Sequence, residues 1–169
     1  LTLYSSRPDS AQLEFSMEEI EAACAKQGME CQRSDSPQGA DILLAVKDDE
    51  DFADLLEQKK IPEAPESYVI LNRSGDSVTI IGSDETGAMY GALDVAEQIR
   101  WSGDVLELAS IQPKSASPFH TYRGVNMFIH VQALDNPRSW YFDDGFWRDH
   151  LDQLARSRTN FLDIHACYD

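Results

Sequence analysis

Short apolar runs of strand length alternate with helix-patterned stretches along most of this sequence, which restricts the chain to an α/β architecture. The strand-like runs cover residues 1–4, 29–33, 42–46, 68–72, 77–82, 105–108, 122–129 and 160–165. A first helix is predicted from Ser16, where Ser16 and Glu19 match a capping box and Phe15 and Ile20 a hydrophobic staple. Ile20, Ala23, Cys24 and Gln27 follow at helical spacing, and Gly28 supplies the stop. Asp48 or Asp49 is expected to cap a second helix carrying Phe52, Leu55 and Leu56, ended by Pro62 and Pro65. Residues 68–72 and 77–82 are β-rich runs around Arg73-Ser74-Gly75-Asp76, a hairpin pattern. Asp84 caps a long helix to about Arg100, with Ala88, Ala92, Ala96 and Ile99 on one stripe. Gly87 and Gly91, four apart, let that helix approach a neighbour closely. Residues 113–118 are predicted to be a linker.

Beyond the linker the texture changes. Residues 122–129 form a nearly continuous apolar run after Arg123-Gly124, the pattern of a strand buried on both faces in a parallel sheet. Asp143 or Asp144 caps a helix with Trp147, Leu151 and Leu154 at helical spacing, and residues 160–165 form a second apolar strand. The order is β-α-β, the building block of parallel sheets and barrels. A complete (β/α)8 barrel takes roughly 200–250 residues. The chain has 169, so it cannot hold one beside another domain. The organisation predicted is an α+β domain over residues 1–118 and the first β-α-β unit of an incomplete barrel over 119–169.

Charge narrows the partners. Fourteen Lys and Arg stand against 30 Asp and Glu, a formal net charge of −16. Residues 119–169 hold 5 basic and 7 acidic side chains, which leaves 9 and 23 to residues 1–118. Such a chain repels phosphate, so no nucleic-acid partner is expected. No run approaches the ~18–20 apolar residues of a membrane span, so no membrane is expected either. Cys24, Cys31 and Cys167 form neither a CxxC nor a Cys/His ladder, and an odd count is not a closed disulfide framework. Buried free thiols are the preferred reading, with a Cys24–Cys31 pair the alternative. No cofactor and no metal are expected. The first residue is Leu1 rather than Met, so a preceding segment is expected. A secreted or periplasmic bacterial location is preferred to a cytoplasmic one.

The residues from Glu66 onward resemble a known arrangement. The runs Ser67-Tyr-Val-Ile-Leu-Asn and Ser77-Val-Thr-Ile-Ile-Gly precede Asp84-Glu-Thr-Gly-Ala-Met-Tyr90-Gly91-Ala-Leu. This is similar to the α+β accessory domain that precedes the catalytic barrel in family 20 β-N-acetylhexosaminidases, and to its counterpart in microbial α-glucuronidases. Tyr122-Arg123-Gly124 and Asn160-Phe-Leu-Asp163-Ile-His165 then resemble the first and second barrel strands of the hexosaminidases. The resemblance implies a carbohydrate-active hydrolase of O-glycosyl bonds, with an oligosaccharide or polysaccharide substrate. Arg123 corresponds to the arginine that binds sugar hydroxyls, His165 to the second His of the "N-x-x-H-x-H" strand, and Asp169 to an acidic residue four positions later. Two positions depart from the hexosaminidase pattern, with Phe128 in place of an Asp and Asp163 in place of the first His.

The chemistry implied needs more chain than this. Glycoside cleavage normally uses two carboxyl groups flanking the bond, and the resemblance places them on a fourth barrel strand. No catalytic residue is therefore assigned within residues 1–169, and the remainder of a barrel is an expected partner. Substrate binding is assigned to Arg123, His130, His165 and Asp169, His130 because it ends the first strand. For Arg123 the alternative is pairing with a carboxylate, and for His165 a hydrogen-bonded core histidine. Asp163 is two residues from His165 and shares its face of the strand. Trp140, Tyr141, Phe142 and Trp147 form either a sugar-stacking platform or an aromatic core. The competing function is a non-catalytic carbohydrate- or protein-interaction module built on the accessory fold.

Overall fold

The computed structural model describes residues 1–49, 61–73, 76–102 and 107–166. The expected helix around Phe52, Leu55 and Leu56, and the turn residues Ser74 and Gly75, lie outside the described residues, as do Cys167 and Asp169. The chain divides into two compact units, Leu1–Pro118 and Phe119–Asp169.

The first unit is a six-stranded mixed sheet with helices. Its strands are β1 (Thr2–Ser5), β2 (Gln32–Ser34), β3 (Ile42–Val46), β4 (Tyr68–Arg73), β5 (Ser77–Gly82) and β6 (Lys114–Ala116). They lie in the order β2-β1-β3-β5-β4-β6. β2, β1, β3 and β5 run parallel, and β4 is antiparallel to both β5 and β6. β3 is central, and all five of its residues are buried, as an apolar run without alternation requires.

Helix α1 (Ala11–Lys26) begins earlier than predicted. Ser10 is the N-cap, its Oγ accepting from Leu13 N at 3.4 Å. The buried stripe starts at Leu13 and continues through Met17 and Ile20, so burial extends the helix a turn beyond the local capping match. Ser16 sits inside it and donates to the Gln12 carbonyl at 2.7 Å. Glu19 accepts from Arg100 Nη2 at 2.6 Å instead of closing a box. The stop falls where expected. Gly28 at φ 73° donates to Ala25 O at 3.0 Å, and Met29 N returns to Cys24 O at 3.0 Å, a Schellman ending. That turn occupies residues 28–31, so β2 is shorter than the predicted run.

Helix α2 (Glu85–Trp101) starts at Asp84, whose Oδ1 accepts from Gly87 N at 2.7 Å. Its glycines are set by proximity. A Cβ at Gly87 would lie 2.1 Å from Ser67 O, and one at Gly91 2.6 Å from Ile80 Cγ2. Two expectations after α2 change. Of the strand expected over residues 105–108, residues 105 and 106 lie outside the described residues, and Leu108 belongs to a 3-10 turn, Leu108–Ser110. The predicted linker contains β6, which pairs with β4 through Tyr68↔Ala116.

The second unit contains β7 (Gly124–Ile129), a short helix α3 (Val131–Asp135), a 3-10 turn Trp140–Phe142, helix α4 (Asp144–Arg156) and β8 (Phe161–Ala166). Asp143 caps α4, accepting from Gly145 N at 2.8 Å. β7 and β8 are parallel, in register from Gly124↔Phe161 to Ile129↔Ala166. The predicted burial of β7 on both faces is not found. Ile129 is buried, but Phe128 is 67% exposed and Ile164 on β8 is 45% exposed. Burying a strand on both faces takes flanking strands and layers on either side, and the described residues of this unit form two strands.

Candidate functional site

In a β-α-β unit the parallel strands present alternate side chains to one face. The register makes Asn126↔Asp163 and Phe128↔His165 cross-strand pairs, so these four residues share a face. Their side chains meet. His165 Nε2 lies 2.7 Å from Asp163 Oδ2, and Asn126 Nδ2 donates to the same oxygen at 3.3 Å. The Phe128 and His165 rings stack with centroids 5.3 Å apart and planes 23° from parallel. The result is one carboxylate, one amide and one imidazole beside an exposed aromatic face. Hydroxyl groups and the apolar side of a sugar ring complement that combination.

The two positions that depart from the hexosaminidase pattern, Phe128 and Asp163, are therefore neighbours. Both act on His165, one by stacking and one by hydrogen bonding. Asn126, Phe128 and Asp163 were not among the assigned site residues. For Asp163 the two-residue spacing to His165 already gives the shared face; for Asn126 and Phe128 the signal is the register, which single-strand periodicity does not contain.

His130 follows the C-terminal end of β7 and is the N-cap of α3, its Nδ1 accepting from Gln132 N at 3.4 Å. In barrels that end of the strands carries function. Arg123 is at the opposite end of β7. The six residues of the strand lie between Arg123 and His130, seven steps of about 3.3 Å that separate the two by roughly 23 Å. Its Nε donates to the Arg158 carbonyl at 2.7 Å and its Nη1 to the His120 carbonyl at 2.7 Å. The structure thus brings His165 together with Asp163, Asn126 and Phe128, and holds Arg123 away from His130. The aromatic residues pack on one another. The ring centroids of Trp140 and Phe146 are 4.8 Å apart, those of Trp140 and Trp147 6.1 Å, and Trp147 Nε1 donates to Tyr141 O at 2.7 Å.

The first unit has a cleft of its own, where the loop leaving β1 and the start of α1 meet the first turn of α2. Ser6, Arg7, Ser10 and Glu85 line about 540 Å³ there. Its charges satisfy each other. Arg7 Nε lies 2.9 Å from Asp49 Oδ1 and Arg7 Nη1 3.1 Å from Glu85 Oε1, while Ser10 Oγ donates to Glu85 Oε2 at 2.7 Å. Burial works against the Asp49 carboxylate, yet hydrogen bonds from Ser6, Val46 N and Arg7 hold its pKa below the usual range. Glu85 is lowered too, by Ser10 first and then Arg7. This arrangement is an internal ion-pair network joining β1, β3 and α2. Among the described residues no group of three or more His, Cys, Asp or Glu is placed to hold a metal ion.

No protein-family model matches the chain, and no curated protein matches it in sequence. Solved structures do match in fold. One is a GH138 enzyme targeting pectin rhamnogalacturonan II, with a TM-score of 0.73 at 20% identity over 96% of this chain and 23% of that one. Another is a family GH115 4-O-methyl-α-glucuronidase with specificity for decorated arabinogalactans, with a TM-score of 0.72 at 15% identity over 97% of this chain and 24% of that one. CpGH84D matches with a TM-score of 0.58 at 12% identity over 74% of this chain and 21% of that one. The chain spans about a quarter of the length of these proteins or less. At these identities the likeness is one of fold: the chain has the mixed α/β architecture found in glycoside hydrolases.

Proposed function

We propose that this chain is part of a glycoside hydrolase, combining an accessory α/β domain over residues 1–118 with the opening β-α-β unit of its catalytic barrel over 119–169. The observation that carries this reading is the parallel β7/β8 pair with Asn126, Phe128, Asp163 and His165 on one face. The fold likeness to the GH138 and GH115 structures, which extends over nearly the whole chain, supports it. In this reading the four residues face the barrel interior and bind the glycan, with His130 at the strand ends above them. Arg123 supports the face from the other end of the strands rather than gripping sugar hydroxyls. The substrate is a decorated polysaccharide of the kind on which those two enzymes act, and the α-glucuronidase relationship is preferred to the hexosaminidase one. Phe128 stands where a hexosaminidase would carry an Asp, and the GH115 enzyme is itself an α-glucuronidase.

Glycosidic bond cleavage takes a proton donor and a second carboxylate or its equivalent. Among the described residues the polar face carries one carboxylate, Asp163, already engaged by His165 and Asn126. The catalytic pair is therefore assigned to other barrel strands of the whole enzyme. The test is to express the complete reading frame that contains this sequence and assay it on a panel of pectic and arabinogalactan polysaccharides beside the 169-residue chain alone. The whole protein releases sugar, and Asp163→Ala lowers kcat/KM at least tenfold. The 169-residue chain alone hydrolyses no aryl glycoside. Binding of polysaccharide by the whole protein with no release would instead favour the interaction-module reading. Turnover by the short chain would refute the division of labour.

A further inference from the structure

The Schellman ending of α1 folds the chain back on itself. Met29 N bonds to Cys24 O at 3.0 Å, which places residues 29–31 beside the last turn of the helix. The segment is pinned from the other side by β2, where Gln32 N donates to Leu1 O at 2.8 Å and Thr2 pairs with Gln32. The turn is also tied to the end of α2, because Gln27 Nε2 donates to Ile99 O at 3.1 Å and Arg100 O at 3.3 Å. Cys24 and Cys31 stand on the two sides of this fixed turn, Cys24 in the last turn of α1 and Cys31 directly before β2. Both are free, Cys24 buried and Cys31 half-buried, and burial first, then the Cys31 side chain, raises the Cys24 thiol. Cys24 is fully excluded from solvent.

We propose that Cys24 and Cys31 are a disulfide-forming pair, closed by exchange with an external low-molecular-weight disulfide into a bond that staples the end of α1 to the start of β2. The half-buried Cys31 reacts first. Its thiolate attacks one sulfur of the external disulfide, expels one thiol and leaves a mixed disulfide. Cys24 then gives its proton to solvent and attacks the Cys31 sulfur, and the second external thiol leaves. Two protein thiols lose two hydrogens, and the external disulfide is reduced to two thiols. Burial, with the Cys31 thiol beside it, pushes the Cys24 thiol up to about 12, so ring closure is the slow step and the buried sulfur is shielded from attack before it. Once formed, the bond closes a short loop whose ends the native fold already holds together, so the gain comes mainly from restricting the unfolded chain.

The experiment uses the 169-residue chain with Cys167→Ser, incubated with oxidised glutathione. Trypsin cuts after Lys26 and Arg33, so Cys24 and Cys31 leave on separate peptides unless they are joined. The expected result is an intact mass two hydrogens below the reduced chain, one linked peptide pair in the unreduced digest, and a Tm several degrees above that of the reduced form. A glutathione adduct that persists on Cys31, with Cys24 alkylated only after unfolding, would overturn the proposal. So would two unmodified thiols after prolonged exposure. If Cys167→Ser does not fold, the unaltered chain is digested instead, because cleavage after Arg158 puts Cys167 on a third peptide.

Discussion

Arg123 Nε donates a 2.7 Å hydrogen bond to the carbonyl of Arg158, the residue whose φ of 56° turns the chain from α4 toward β8. Around this contact the two strand starts are stitched together. Arg123 N donates to Asn160 Oδ1 at 2.9 Å, Asn160 N to Arg123 O at 2.9 Å, and Asn160 Nδ2 to Thr121 O at 2.8 Å. The side chain long enough to be a sugar ligand is used to hold a strained turn. Arg123→Ala removes charge-assisted bonds to two carbonyls and is expected to cost the unit 119–169 about 1–3 kcal/mol. Arg123→Lys should recover little, because an ammonium lacks the rigid fork that reaches both carbonyls. Amide hydrogen exchange is the measurement. Protection should fall in β8 for both variants while β3 keeps its own. Unchanged protection in β8 would return Arg123 to a purely ligand-binding role.

In the first unit the Tyr68 hydroxyl donates to Asp94 Oδ2 at 2.6 Å, and Lys114 Nζ lies 2.6 Å from the same oxygen. The trio joins β4, α2 and β6. Burial, and then the bond to Asp94, raise the Tyr68 phenol from 10.0 to about 12. The folded chain thus holds that proton more tightly than the unfolded chain. The associated stability is whole below pH 10 and drains away as pH rises from 10 through 12. Tyr68→Phe is expected to lower stability by about 1.5–3 kcal/mol at pH 7, the usual size for a bond to a charged acceptor. By pH 11 the gap between variant and parent should narrow by about 1 kcal/mol. Urea denaturation at the two pH values measures it. A gap that stays constant or widens with pH would mean the phenol pKa is not raised.

Gly87→Ala tests the close approach of α2 to the sheet. In an exposed helix that change stabilises by about 1 kcal/mol. Here the new methyl would sit 2.1 Å from a backbone oxygen, that of Ser67. Backbone does not yield as a side chain does, so the sign reverses, and a loss of about 3 kcal/mol or more is expected. Gly91→Ala meets the Ile80 methyl at 2.6 Å, which has somewhere to go, and should cost less. Thermal unfolding of both variants checks the ranking.

What the sequence showed and what it hid follow from the range of the interactions involved. Asp84 was legible as a cap, and the cap of α4 was legible to within one residue, Asp143 or Asp144, because an N-cap acts on amides two or three residues away. Gly28, Gly87 and Gly91 were legible for similar reasons, since a left-handed turn and a tight approach each need a residue without a Cβ. Ser16 misled because a capping match records only four residues, while the true start is set by Leu13 being drawn into a core built from distant strands. β6 was hidden in a proline-bounded stretch whose strand character comes from pairing with β4, some 45 residues earlier in the chain. At the candidate site the strands, the intervening helix and His165 were readable. Asp163 was readable beside it from the two-residue period of the strand, but Asn126 and Phe128 were not, because which residues of β7 lie opposite depends on register.

That register leads to a prediction about one proton. A carboxylate only accepts hydrogen bonds, so the 2.7 Å contact between Asp163 Oδ2 and His165 Nε2 requires the imidazole to carry its hydrogen on Nε2. Nδ1 is then the acceptor that the neutral ring offers to a ligand. Phe128 holds the ring plane from the adjacent strand at 5.3 Å. Two-bond 15N–1H correlation spectra of the chain above the histidine titration should show His165 as the Nε2–H tautomer. Asp163→Ala removes the acceptor and should give a mixture of both tautomers. Phe128→Ala should leave the tautomer in place but broaden the ring resonances, since stacking fixes orientation and not protonation. An Nδ1–H tautomer in the unaltered chain would break the Asp163–His165 relationship, and with it the hydrogen-bond pattern proposed for the glycan-facing side of the β7/β8 pair.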